Sequence, residues 1–442
     1  MTNFIFNATV TTTQNLARGD NAYVTGIGQI LVPGSDGILA AGNTTLEVDG
    51  TVYSGGGDGV RFTSVAGNSA FAYVGRTGMV SSGPNLEGVN FTGPGTHTLV
   101  NDGQIRSIGF DGFGVQIDGA GTIVNRGAIT AASGILDANL TAGDRNAVYN
   151  YGSISGTDFV LRGGADRMAF DNFGSASGGV AMGSGAGDLF YNTGSLALND
   201  KGFREGAGAG DAISNYLGSI VETVNDTAAA VDMILFGSGA GDYLYNSGIV
   251  RELGATRAAS NAIHAGAGNG DFVVNDTAGE IDGNVSLGAG SGQYVYNPGL
   301  IKGDVHLGNG AGQAYTGATG TLDGTLFLGA GGDYALEGVN ATTVVAGLGN
   351  DTLDMSNGGH TTVRETAANL QVNGFDTLRN FQTAANGAYT RLSIDSAFAG
   401  TTLFAAFQGG TLVEIGLGGG NYSFVNVLGA SVATVQSQTF FA

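Results

Sequence analysis

Short apolar runs alternate with polar positions along this chain, and glycine or aspartate bounds most of them. Ile123-Val124, Phe159-Val160-Leu161, Asn284-Val-Ser-Leu287, Asp304-Val-His-Leu307 and Thr325-Leu-Phe-Leu328 are examples. A period of two is the pattern of strand, and no stretch sustains a 3.6-residue period between helix caps. An asparagine with a glycine close behind it punctuates the runs at Asn101, Asn125, Asn150, Asn172, Asn192, Asn215, Asn246, Asn275 and Asn297. Successive positions differ by 24, 25, 22, 20, 23, 31, 29 and 22 residues, and Thr316 takes the Asn place 19 residues later. Self-similarity at twenty-odd residues is the mark of a solenoid. The expected fold is all-β, a parallel β-helix or β-solenoid with coils of about 20–25 residues stacked about 4.8 Å apart.

Four copies show the repeated unit most fully. Gly183-Ser-Gly-Ala-Gly-Asp188 leads to Asn192, Gly237-Ser-Gly-Ala-Gly-Asp242 to Asn246, Gly266-Ala-Gly-Asn-Gly-Asp271 to Asn275, and Gly288-Ala-Gly-Ser-Gly-Gln293 to Asn297. Stacked asparagines can hydrogen-bond from coil to coil, as in cross-β ladders, and Asn and Gly tolerate the left-handed backbone of a sharp corner. Tyr149, Tyr191, Tyr245, Tyr296 and Tyr315 precede the anchors and predict an aromatic column, read as edge packing ahead of a ligand-stacking platform. The two long intervals coincide with Glu222–Ala230 and Arg251–Ala262, read as inserted loops. Residues 1–60 fit the unit less well and are assigned to an N-terminal cap with the first coils, 61–360 to the repeats, and 361–442 to a C-terminal β cap.

Composition narrows the function. Glycine supplies 82 of 442 residues without a Gly-x-y period, and hydrophobic residues make up 42%, which excludes collagen and a disordered glycine-rich tract. A formal charge of −21 argues against nucleic acid as a partner. The chain lacks cysteine, so neither disulfides nor thiolate chemistry are available. Met1-Thr-Asn-Phe-Ile-Phe-Asn-Ala has neither the basic nor the apolar part of a standard secretory signal, and no apolar run is long enough for a transmembrane helix.

The turn aspartates Asp188, Asp211, Asp242, Asp271 and Asp333 recur once per coil, and stacked carboxylates about 4.8 Å apart repel by roughly 1 kcal/mol in water and more in protein. A hard cation with oxygen ligands would turn that repulsion into cohesion. Gln293 and Gln313 fill two equivalent places without charge. Gly347-Leu-Gly349-Asn-Asp351-Thr-Leu-Asp354 resembles the nonapeptide repeat of RTX proteins, with Ala346 in place of its first glycine. The order Gly374-Phe-Asp-Thr-Leu-Arg-Asn-Phe381, Leu392-Ser-Ile-Asp395, Leu412-Val-Glu-Ile-Gly-Leu417 and Phe440-Phe-Ala442 is similar to the C-terminal end of RTX-type proteins, with Arg391 where that pattern has an aspartate. The resemblance covers about the last 95 residues. It implies calcium held between coils by Gly347, Gly349, Asp351, Asp354 and the turn aspartates, an uncleaved C-terminal signal, and export by type I secretion to the cell exterior.

Catalytic patterns are sparse. His97, His264, His306 and His360 lie far apart, and no G-x-S-x-G elbow or P-loop is present. Asp166-Arg167 with Asp171 is the densest unusual cluster. The leading expectation is therefore a non-enzymatic, secreted structural protein, forming a homo-oligomer or homopolymer in a filament, surface layer or matrix, or acting as an adhesin on a cell-surface polysaccharide. The alternatives are a β-helix enzyme acting on polysaccharide and a trimeric fibre.

Overall fold

A computed structural model describes residues 1–139, 145–223, 232–253, 260–338, 340, 342–357, 359–371, 374–383 and 389–442. Strand accounts for 54% of the protein and helix for 2%, so the protein is all-β. The chain forms two compact units, Met1–Val231 with Leu253–Ala255, and Asp232–Glu252 with Thr256–Ala442.

In the first unit each coil contributes three strands to three parallel ladders. Asn3–Phe6, Asn21–Val24, Thr45–Val48 and Ser69–Val74 open the first ladder. Thr9–Val10, Gln29–Val32, Thr51–Ser54 and Met79–Pro84 open the second, and Gln14–Leu16, Ile38–Ala41 and Val60–Thr63 the third. The ladders thus start at Asn3 and run through the segment expected to hold a cap. Alternation directs one residue in two inward, and identical register stacks them: Leu46, Ala72, Leu99, Ile123, Val148, Phe170, Phe190 and Ile213 form one buried column. Burying each of the larger side chains contributes about 1.5–3 kcal/mol relative to exposure. This is a β-solenoid.

The second unit repeats the scheme. Tyr243–Asn246, Phe272–Asn275, Tyr294–Tyr296, Ala314–Thr316, Tyr334–Leu336, Thr352–Asp354 and Phe375–Arg379 stack in parallel. A second ladder runs from Asn261–Ala265 through Asn284–Leu287, Val305–Leu307, Thr325–Phe327, Thr342–Val345 and Thr361–Glu365 to Thr390–Ile394. Parallel coils therefore continue past residue 361, and the texture changes only beyond Ile394. There Thr402–Phe407, Gly410–Gly418 and Asn421–Val427 form an antiparallel meander, whose last strand rejoins the parallel ladder beside Phe375–Arg379. A seven-residue helix, Val432–Gln438, follows, with the Ser431 hydroxyl accepting the Thr434 N–H as its cap. It is too short to leave a 3.6-residue signature in the sequence. The two expected loops lie largely outside the described residues, which omit 224–231 and 254–259.

Candidate functional site

The nine asparagines stand on inward positions, all buried. In the first unit the Nδ2 of Asn101, Asn125, Asn150, Asn172 and Asn192 donates to the Oδ1 of the next anchor, at 2.7, 2.8, 2.7, 2.8 and 2.9 Å, ending on Asn215. In the second unit Asn246 donates to Asn275 at 2.9 Å and Asn275 to Asn297 at 2.8 Å. Each donor amide also gives a hydrogen to a backbone carbonyl shortly past that next asparagine, three residues on for Asn101, Asn125, Asn150, Asn172 and Asn275 and five for Asn192 and Asn246, for example Asn150 to Ser175 O at 3.0 Å. Val24, Val48 and Val74 hold the same place before Asn101, which is why the first coils fit the repeat poorly. One assignment is corrected: Thr316 pairs with Tyr296, not Asn297, and Tyr315 takes the inward place opposite Val295. The Tyr315 hydroxyl, 3.4 Å from Asn297 Nδ2, ends the ladder. Glu337, four residues after Asp333, occupies the Asn place further on and is fully buried.

The turn aspartates lie inside as well. Asp188 and Asp211 in the first unit, and Asp242, Asp271, Asp333 and Asp351 in the second, are all buried. Each is an even number of residues from an inward apolar side chain, so the pleat turns it to the same face. Their carboxyls bind the adjoining coil: Met168 N–H donates to Asp188, Asp188 N–H to Asp211, Asp242 N–H to Asp271, Asp333 N–H to Asp351 and Asp351 N–H to Asp376, at 2.7 to 3.1 Å. Gln293 donates to Ala265 O, Gly268 O and Asp271 Oδ2, and Gln313 to Gly288 O, Gly290 O and Gln293 Oε1, so the amides knit the same column.

Burial, more than neighbouring charge, pushes Asp188, Asp211, Asp271, Asp333 and Asp351 up. Asp188 rises to about 7, Asp333 to about 6 and Glu337 to about 7. Glu365 rises to about 8, by burial and then the charge of Asp351, and Asp376 to about 9, by burial and then Glu365 and Asp351. Raised values of this kind mean that the formal charge overstates the charge carried near neutral pH.

The glycines of the turns do two jobs. A Cβ on Gly288 would fall 1.5 Å from Gly266 O, and one on Gly290 1.6 Å from Gly268 O, so these positions admit no side chain against the preceding coil. Gly292, with φ +66° and open space around it, is there for its backbone conformation.

The expected calcium donors do not converge. Asp351 takes the N–H of Asp333 on Oδ1 and of Gly347 on Oδ2. Asp354, an odd three residues on, faces the other way and accepts from Ser356 N–H and Asn380 Nδ2. Gly347 and Gly349 sit pressed on the carbonyls of Gly329 and Gly331. Among the described residues no group of three His, Asp or Glu is placed to hold a metal.

Other polar groups are similarly engaged. Asp166 is buried, whereas Asp171 sits on the outer face between Tyr149 and Tyr191, so that cluster is not assembled. Tyr151 and Phe173 stack at 4.8 Å, and the rings of Phe173 and Tyr191 and of Tyr191 and Tyr216 lie tilted against each other at 5.8 and 4.5 Å, so this edge carries aromatic packing. Tyr245 instead donates its hydroxyl to Asp276. Sequence reading missed two arrangements. Asp36, Asp58 and Glu87 each precede a glycine and an apolar strand; Arg61 pairs with Asp58 at 2.8 Å and with Asp36 at 3.4 Å. Burial and the Asp58 contact push Glu87 to about 8, while hydrogen bonds from Glu87 and Arg61 override burial and hold Asp58 below its usual range. The repeated acid-glycine pair was the available signal. Asp232 orients His264 through Nδ1 at 2.7 Å; Ser286 follows His264 in register, but its hydroxyl faces Leu287 O. No known family's sequence profile matches the chain, and no curated protein matches it.

Proposed function

We propose that this protein is a secreted structural β-solenoid that works by self-association, as a filament, surface layer or matrix at the cell exterior. One observation carries the structural part: the Asn, Asp and Gln side chains that could have served chemistry are buried and bond coil to coil. Such a molecule offers rigidity and surface rather than a reactive centre. Self-association draws support from exposed apolar side chains in a chain with only 12% charged residues. Export by an RTX-like C-terminal signal and attachment to a cell-surface polysaccharide belong to the same proposal. Purified full-length protein is expected to give ordered polymers in negative-stain images and growing scatter with concentration. Strictly monomeric protein at every concentration, with and without calcium, would sink the reading. A parallel EDTA series at matched ionic strength tests for calcium, and the hydrogen-bonded carboxyls predict an unchanged melting curve.

A further inference from the structure

The antiparallel meander of the second unit ends in a strand with an open edge. Thr402–Phe407 pairs with the following strand over six residue pairs without a register shift, from Thr402 opposite Ile415 to Phe407 opposite Gly410. Among the described residues no strand pairs with its other side. Natural edge strands are blunted by lysine, proline, a bulge or a covering segment. Thr402-Leu-Phe-Ala-Ala-Phe407 carries no charge and no proline, and its pairing is regular.

Burial stops abruptly at this strand. Opposite buried Thr411, Val413 and Ile415 stand exposed Ala406 and half-buried Phe404 and Thr402, and on the other face exposed Ala405 and Leu403 stand opposite half-buried Leu412 and Glu414. Leu403 has 61% of its surface open. The sheet therefore stops one strand short of covering its own apolar edge.

Charge points to the occupant. The chain carries a formal −21, yet Ser396 through Ala442 contain one charged side chain, Glu414. Two copies of an acidic chain repel over most of their surfaces, and here they can meet without opposing carboxylates. An uncharged apolar strand is also complementary to itself in antiparallel pairing. We propose that Thr402–Phe407 is a homotypic docking edge, pairing antiparallel with the same strand of a second copy so that the two meanders join edge to edge. This rests on the self-association reading and names its contact. An isologous contact closes on itself, so this edge yields a dimer, and longer assemblies need a second contact.

The test is the mass of the full chain by light scattering and sedimentation over a wide concentration series. The variant L403K/A405K places charge on two exposed side chains, and Phe110→Lys, at a 93% exposed residue of the first unit, controls for loss of general stickiness. Circular dichroism and melting curves establish that all are folded. The expected result is a dimer, or a dimer-based polymer, for the parent and Phe110→Lys; L403K/A405K is a monomer where the parent is a dimer, and falls to the smaller oligomer of the second contact where the parent is a polymer. Assemblies of the parent's size that survive L403K/A405K overturn the docking edge but leave self-association standing. A monomeric parent overturns both, and a monomeric parent that sediments with phosphatidylcholine vesicles assigns the edge to a lipid surface instead. A parent that stops at the dimer keeps the edge and overturns the polymer.

Discussion

Asn150 gives its amide hydrogens to Asn172 Oδ1 and Ser175 O, while its own Oδ1 accepts from Asn125. Asn150→Ala strands buried groups in the coils on both sides, each costing about 1–3 kcal/mol. We expect a loss of about 3 kcal/mol or more in urea denaturation; a change within about 0.5 kcal/mol, the range of surface substitutions, would mean the ladder adds nothing. The glycines allow a paired experiment. Gly288→Ala would set a methyl 1.5 Å from Gly266 O and must move backbone, at a cost of about 3 kcal/mol or more. Gly292→Ala meets no atom and costs only the left-handed conformation, about 1–2 kcal/mol. Equal losses in the two variants would refute the close-approach explanation. The Gly-x-Gly spacing was plain in the sequence, but the carbonyl that explains Gly288 lies 22 residues earlier, and only stacking brings it near.

Within a single strand, the pleat decides which polar residues become structural. Asp188, Phe190 and Asn192 are spaced by two, so all three face inward, and Leu189 and Tyr191 face out. That spacing was legible, and its consequence, buried rather than solvent-facing aspartates, follows from it. The same count places Gly317, not Thr316, in the Asn position four residues after Gln313, and puts Glu337 four residues after Asp333. Glu337 gives a direct test of this element's electrostatics. Its folded pKa of about 7 lies above the ordinary value of about 4.3. The folded state therefore binds the proton more tightly, and the associated stability is full below about pH 4.3 and lost as pH rises through 7. Glu337→Gln mimics the protonated acid, so its melting temperature should match the parent near pH 4 and exceed it near pH 8.5. A constant difference across that range would show that Glu337 does not change its charge there.

For the whole molecule the raised acids outweigh buried Asp58 and Asp20, which are held low by hydrogen bonds. Asp188, Asp333, Glu365 and Asp376 are all raised, to about 7, 6, 8 and 9. Raised folded values mean stability falls as pH climbs from about 4 to about 9, so melting temperature should increase on acidification from pH 9 to pH 5 at constant ionic strength. Cation-bound carboxylates would be depressed and would give the opposite slope, with loss of stability on acidification. Thermal melts across that range therefore separate a proton-balanced column from a metal-balanced one.

Period, corner chemistry and strand alternation were determined by the sequence alone, because they depend on neighbours within one coil. Asn-x-Gly corners, glycine turns and two-residue alternation were enough to require stacked parallel coils. Tertiary structure decided what each repeated side chain meets, because its partner lies one coil, or about twenty residues, away. That is why the turn aspartates read as cation ligands in the sequence, yet in the fold receive N–H groups from the adjoining coil. It is also why residues 1–60, with valine where later coils have asparagine, enter the same ladder: inward geometry at that position accepts either an apolar side chain or an amide that finds its own kind.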